Sequence, residues 1–175
     1  YVCFTTELWE RFSFYGMKYL LLLYLTKYHL FTDEMGLDVL GAYAGLVYAL
    51  PLIGGMLADR FLGMRKSVLF GGIMLSLGHI LMAVEGHAAK FYAAGTTLAE
   101  DLMLKSGEVI AAGTVLAEDI TMRDTAALKV FYLALALIVM GVGYLKPNIS
   151  TIVGKLYSQD DPRRDSCFTI FYMGI

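Results

Sequence analysis

Four apolar stretches, Val2 to Leu25, Leu37 to Leu57, Ser67 to Val84 and Val130 to Val153, constrain this chain more than any other feature. Each approaches the roughly 20 mostly apolar residues that an α-helix needs to cross bilayer hydrocarbon. A fifth opens near Cys167 and is cut by the end of the sequence. None alternates apolar and polar residues with the period of two expected of a barrel strand. Gly and Ala recur in the second to fourth stretches, as where helix backbones approach closely in a membrane. The expected fold is an all-α helical membrane bundle, and a chain bounded by Tyr1 and Ile175 reads as a fragment cut inside two helices.

Composition agrees. With 58% hydrophobic and 17% charged residues the chain cannot be disordered, and a formal charge of -2 gives no bias toward a nucleic-acid partner. Cys3 and Cys167 form neither a disulfide framework nor a metal-ligand spacing. Arg60, Arg65 and Lys66 fall between the second and third spans, and Lys155, Arg163 and Arg164 between the fourth and fifth. The positive-inside rule makes both connections cytoplasmic and puts the amino-terminal end of the first span on the same side.

The expected organisation is spans one to three over 1–85, an extracytoplasmic insert over 86–128, and the fourth span with the start of the fifth over 129–175. The insert repeats itself: Ala93-Ala-Gly-Thr-Thr-Leu-Ala-Glu-Asp101 returns as Ala111-Ala-Gly-Thr-Val-Leu-Ala-Glu-Asp119. Two copies are too few for a solenoid. Lys105-Ser-Gly107 is a turn signal, and the Val-Ile and Thr-Val-Leu groups after it favour a small hairpin over a pair of short helices. A passive insertion costs a surface loop little.

The chemistry lies in charges placed inside the apolar spans. Glu7, Glu10, Arg11, Tyr15 and Lys18 recur three or four residues apart, one stripe on a helix. Each ionised group at that depth costs about 2.5 to 3.5 kcal/mol, so the stripe implies a polar cavity inside the bundle. Lys146 and Pro147 interrupt the fourth span after Gly141 and Gly143. Pro147 cannot donate to the Gly143 carbonyl, which weakens the helix locally. Lys146 needs a counter-ion, and Glu7 and Glu10 are the available carboxylates. Neutralising a carboxylate would break such a pair and change helix packing; a purely structural Glu-Lys pair is the alternative. In Gly55-Met-Leu-Ala-Asp59-Arg60-Phe-Leu-Gly63-Met-Arg65-Lys66 the glycines permit a tight cytoplasmic turn, and Asp59 can pair with Arg60 or Arg65 or cap a helix. His29, His79 and His87 stand near span ends, where a lone histidine is ordinarily interfacial.

Three ordered motifs, Glu7-x-x-Glu10-Arg11-Phe12, the Gly55 to Lys66 loop and Gly143-x-x-Lys146-Pro147-Asn148, resemble the proton-dependent oligopeptide transporter family of the major facilitator superfamily. Arg163-Arg164-Asp165 through Ile175 resembles that family's entry into its fifth span. The resemblance omits roughly Gly86 to Ala126. It implies the amino-terminal bundle of a secondary transporter of twelve or more spans, not an enzyme, importing di- and tripeptides with protons and using no other cofactor. Its setting would be the bacterial inner membrane, with the lipid bilayer and a carboxy-terminal bundle as partners.

By the same resemblance Glu7 and Glu10 are proton-linked, Arg11 joins that pairing and binds the peptide carboxylate, and Lys146 exchanges salt bridges with the first span. Tyr15, Lys18, Lys146, Tyr48 and Asn148 fall on the substrate side with Arg11, while Gly55, Asp59, Arg60, Gly63, Arg65 and Pro147 belong to gating. Phe14 stands where the family has the first tyrosine of a pair, and Lys18 where it commonly has arginine, a point charge for a planar fork. Rival readings are transport of nitrate or another anion, and a non-transporting helical scaffold.

Overall fold

The computed structural model describes residues 2–104 and 107–175; Tyr1, and Lys105 and Ser106 at the expected turn of the insert, lie outside the described residues. The expected spans form helices α1 (Val2–Leu23), α2 (Asp33–Leu57), α3 (Met64–Met82) and α4 (Thr125–Lys155), and α5 (Arg163–Tyr172) opens the fifth. Two of them, α2 with the turn that follows it and α4, are long and apolar enough to cross a membrane. α1 has the length but carries Glu7, Glu10, Arg11 and Lys18.

Helix ends follow local chemistry. The Thr32 hydroxyl accepts from the Met35 amide at 3.3 Å, and Asp33 and Glu34 complement the positive end of α2. α1 widens into a π-helical turn, Tyr24–Tyr28, and stops at Leu30, whose φ of 53° is left-handed without being glycine. Arg123 holds that reversal, its guanidinium donating to the His29 and Leu30 carbonyls at 2.7 Å each. The loop expected from Gly55 to Lys66 is much shorter than its motif. Gly55 is still inside α2, Ala58–Leu62 forms a second π-helical turn, and Gly63, at φ 75°, alone separates that turn from α3.

α4 is the centre of the bundle. Phe131, Leu135, Ile138, Val139 and Val142 form the main core with Phe14 and Leu21 of α1 and Tyr43 and Val47 of α2. α3 meets α4 backbone to backbone: a Cβ on Gly71 would lie 2.7 Å from the Gly141 carbonyl oxygen, and one on Gly78 would lie 2.6 Å from an Ile138 side-chain carbon. Small residues at those places permit the close crossing. Despite Pro147, α4 is continuous. The Gly143 carbonyl that Pro147 leaves without a donor is covered by Gly54 of α2, where any Cβ would collide with it. Large apolar side chains such as Leu20, Leu52, Leu69 and Ile80 face outward, as suits a chain with apolar surroundings.

The insert is built of strands. β1 (Lys90–Tyr92) pairs antiparallel with β4 (Ile120–Met122), and β2 (Leu102–Met103) with β3 (Val109–Ile110). The two copies of the repeat bond to each other reciprocally. Gly95 N–H donates to Leu116 and Gly113 N–H to Leu98, both at 2.8 Å, while Leu98 and Leu116 donate to Thr114 and Thr96 at 3.1 and 3.0 Å. Asp119 accepts from the Ala94 amide at 2.7 Å and Asp101 from Ala112 at 2.8 Å. Leu98 and Leu116 fill the centre, each 4% exposed, so the repeat is a local pseudo-two-fold. Asp124 ties this unit down. One oxygen caps α4 through the Ala126 and Ala127 amides at 3.0 Å, and the other accepts from His87 N–H at 3.2 Å. These bonds, the Ala127 and His87 amides foremost, hold its carboxyl at about 2.

Candidate functional site

On α1, Glu7, Glu10 and Arg11 project inward from successive turns and are 1%, 9% and 7% exposed. A helix places residues three and four apart on one face, so both carboxylates reach the same guanidinium. Arg11 Nε lies 3.2 Å from Glu7 Oε1 and 3.2 Å from Glu10 Oε2. One N–H cannot satisfy two carboxylates. Glu7 Oε2, Glu10 Oε1 and Arg11 Nη2 are buried without a hydrogen-bond partner among the described residues. Such a cluster is costly at rest and sensitive to any added proton or charge.

Lys146, half-buried on α4, does not contact these carboxylates. Its ammonium stands 5.8 Å from the centre of the Tyr48 ring, a cation-π arrangement across to α2. The counter-ion expected for it is thus held by Arg11 instead, because the i,i+4 geometry within α1 brings Arg11 to Glu7 with no rearrangement. Two carboxylates, Arg11 and Lys146 make a near-neutral set spread over α1 and α4.

The remaining expected residues divide by position. Tyr15 is exposed one turn beyond Arg11, and Lys18 is half-buried one turn further on. Asn148 is buried and donates its amide to the Tyr144 carbonyl at 2.7 Å within α4. Gly55 lies against the Pro147 ring, 3.5 Å from an added Cβ, so the expected gating glycine and gating proline touch across α2 and α4. Asp59 joins no ion pair among the described residues, and Arg60 rests over Phe61 at 5.4 Å. Arg65 is exposed at the start of α3.

His79, expected to be interfacial, instead meets Ser13 of α1 across a groove. A cavity of about 410 Å³ separates α1 from α3 and is lined by Glu10, Ser13, Tyr43, Ser76 and His79. Ser13 Oγ lies 2.6 Å from His79 Nε2, and His79 Nδ1 lies 2.8 Å from the Leu75 carbonyl oxygen. The Tyr43 hydroxyl is buried with no hydrogen-bond partner among the described residues. The available signal was Gly72, Ser76 and His79, a small-and-polar stripe on one face of α3.

Comparison with known proteins extends this picture. Residues 65–175 match the family model described as POT family. Over its whole length the chain is 36% identical to the uncharacterized transporter YclF of Bacillus subtilis. Over 98% of its length it is 37% identical to a di-/tripeptide transporter of Lactococcus lactis subsp. lactis. It spans 28% of the length of each of these relatives. Among solved structures it superposes on a peptide transporter POT in complex with sulfate with a TM-score of 0.72, at 33% identity over 98% of this chain and 28% of that one. It also superposes on a POT family transporter in complex with 5-aminolevulinic acid with a TM-score of 0.70, at 28% identity over 99% of this chain and 28% of that one.

Proposed function

The chain belongs to the POT family, and on that premise we propose that it is the amino-terminal part of a proton-coupled symporter importing di- and tripeptides by alternating access. The whole protein is then a secondary transporter with protons as its coupling ion. POT transporters are integral membrane proteins; the setting proposed here is a bacterial inner membrane with the start of α1 cytoplasmic, in keeping with Arg60, Arg65 and Lys66 at one end of the bundle.

The observation that carries the reading is the charge balance at Glu7, Glu10, Arg11 and Lys146. With both carboxylates ionised the four sum to zero; one proton leaves the set at +1. A peptide carboxylate restores neutrality, so each ligand favours the other, which is the requirement for symport. Arg11 Nη2, buried and unpartnered, is the natural donor to that carboxylate. Tyr15, Lys18, Tyr48 and Asn148 complete the substrate side of this reading. Rearrangement of the Lys146 segment against α2, where Gly55 meets Pro147, is the proposed gate, with Asp59, Arg60, Gly63 and Arg65 at its cytoplasmic end.

The test uses the full-length parent protein in liposomes with a pH dye inside and alanyl-alanine added outside. Internal acidification that needs the peptide is expected, and Glu10→Gln or Lys146→Ala should reduce it to less than about a tenth. Full acidification retained in both variants would sink the assignment. Similarity to a transporter solved with 5-aminolevulinic acid supports a second reading, a small amino-carboxylate in place of the peptide. Competition of that compound, and of nitrate, against dipeptide separates the substrates.

A further inference from the structure

We propose that His79 is a proton-relay residue that passes protons from the extracytoplasmic side, through Ser13 and water in the α1–α3 cavity, to Glu10. The inference rests on the symport reading above and concerns how the proton reaches the carboxylate.

The ring geometry carries the argument. A carbonyl oxygen can only accept, so the 2.8 Å contact with Leu75 requires the proton of neutral His79 to sit on Nδ1. Nε2 is then the basic nitrogen, and it is the one that faces Ser13 at 2.6 Å. In the neutral ring Ser13 donates to Nε2; once Nε2 gains a proton, the same contact runs the other way and Ser13 accepts. A hydroxyl placed so can receive a proton from the ring and release one toward the cavity.

The open groove leaves room for water along its few polar groups, Glu10, Ser13, Tyr43, Ser76 and His79, in an otherwise apolar lining. The cavity of about 410 Å³ compares with roughly 30 Å³ for a water molecule in the liquid. Glu10 is one helical turn from Ser13 on the same face of α1, and its Oε1 and the Tyr43 hydroxyl are buried acceptors and donors without partners. A second cavity of about 390 Å³ also touches Ser13 and Met17 and runs past Tyr24 and Met82 to Glu85, at the insert end of α3. The two share Ser13 and Met17, so the proposed route runs from that end, past Ser13, to Glu10.

The transfer balances: imidazolium loses one proton, the Glu10 carboxylate gains one, and the opposed charges cancel. The groups that bias it are Glu10, with Arg11 beside it, on α1, Tyr43 on α2, and Tyr24 and Glu85 at the mouth. From α4 the lining is apolar, Ile138, Val142 and Leu145, with Lys146 acting on Glu10 from further away.

The experiment uses the full-length parent in liposomes, with every native cysteine, Cys3 and Cys167 among them, replaced by serine. His79→Gln keeps a hydrogen-bonding side chain but cannot be protonated. It should lower proton-driven alanyl-alanine uptake roughly tenfold and flatten its dependence on external pH. Peptide counterflow at equal pH, which needs no net proton movement, should stay within about twofold and shows that the variant is folded. Ser13→Ala should act in the same direction. Ser13→Cys should react with a cationic thiol reagent added outside. Wild-type symport with an unaltered His79→Gln pH profile, or a Ser13→Cys protein that does not react, overturns the relay alone. Wild-type protein with no proton-driven uptake overturns the symport reading and the relay with it.

Discussion

At Gly54 a single hydrogen atom decides how α2 meets α4. The Gly143 carbonyl has lost its helical donor to Pro147, and only a residue without a Cβ can cover it. Gly54→Ala should therefore destabilise the bundle by about 1 to 3 kcal/mol, the usual cost of overpacking. Gly55→Ala, whose added carbon meets only the Pro147 ring at 3.5 Å, should be close to neutral. Thermal unfolding of the detergent-solubilised full-length protein distinguishes them; equal melting temperatures would mean that Gly54 is not a packing constraint. The charged cluster is legible at this scale for a related reason. Glu7, Glu10 and Arg11 stand out because an apolar span has no ordinary use for them. The Ser13–His79 contact does not, because its partners are 66 residues apart and each alone is unremarkable on a helix.

Among the elements, the helices were open to reading because apolar runs of spanning length have few other fates. The π-helical turns were not, since Tyr24–Tyr28 and Ala58–Leu62 carry no residue pattern that separates a π turn from an α turn. The insert stood between these cases: its repeat was visible, but bonding of one copy to the other depends on spatial pairing that periodicity does not encode. That pairing makes Asp101 and Asp119 equivalent. Asp101→Ala and Asp119→Ala should each cost about 1 kcal/mol, and comparably, read by hydrogen exchange at the Ala112 and Ala94 amides respectively. Strongly unequal losses would deny the symmetry. Asp124 gives the insert a defined acid limit. Its carboxyl is depressed from 3.8 to about 2, so its contribution is complete above its ordinary value and fades as pH falls through about 2. Protection of the His87 and Ala127 amides should be level from pH 7 to about 4 and drop below that. Protection lost already at pH 5 would mean that another group holds the junction.

For the whole molecule, the relation between insert and bundle can be tested by excision. β1 and β4 pair Lys90 with Met122, so the two ends of the insert leave the bundle side by side. Replacing Phe91 to Thr121 by a short Gly-Ser linker should then leave α3 and α4 where they are, with peptide uptake within about twofold of the parent, because closing a short flexible loop costs little. Uptake abolished in a folded, counterflow-competent protein would make the insert part of the transport cycle. The bundle itself is asymmetric in its adhesives. α4 joins α1 through bulky side chains, and meets both α2, at Gly54 and Gly143, and α3, at Gly71, Gly78 and Gly141, through backbone, so sliding of α2 or α3 along α4 is restrained more tightly than rotation of α1 over the cavity. The duplicated nonapeptide has one more implication. Since each copy completes the bonding of the other, neither half is a unit that could be gained or lost singly. A chain bearing one copy would present the unmet edge of a strand pair, and two such chains would find in each other what this one finds in itself.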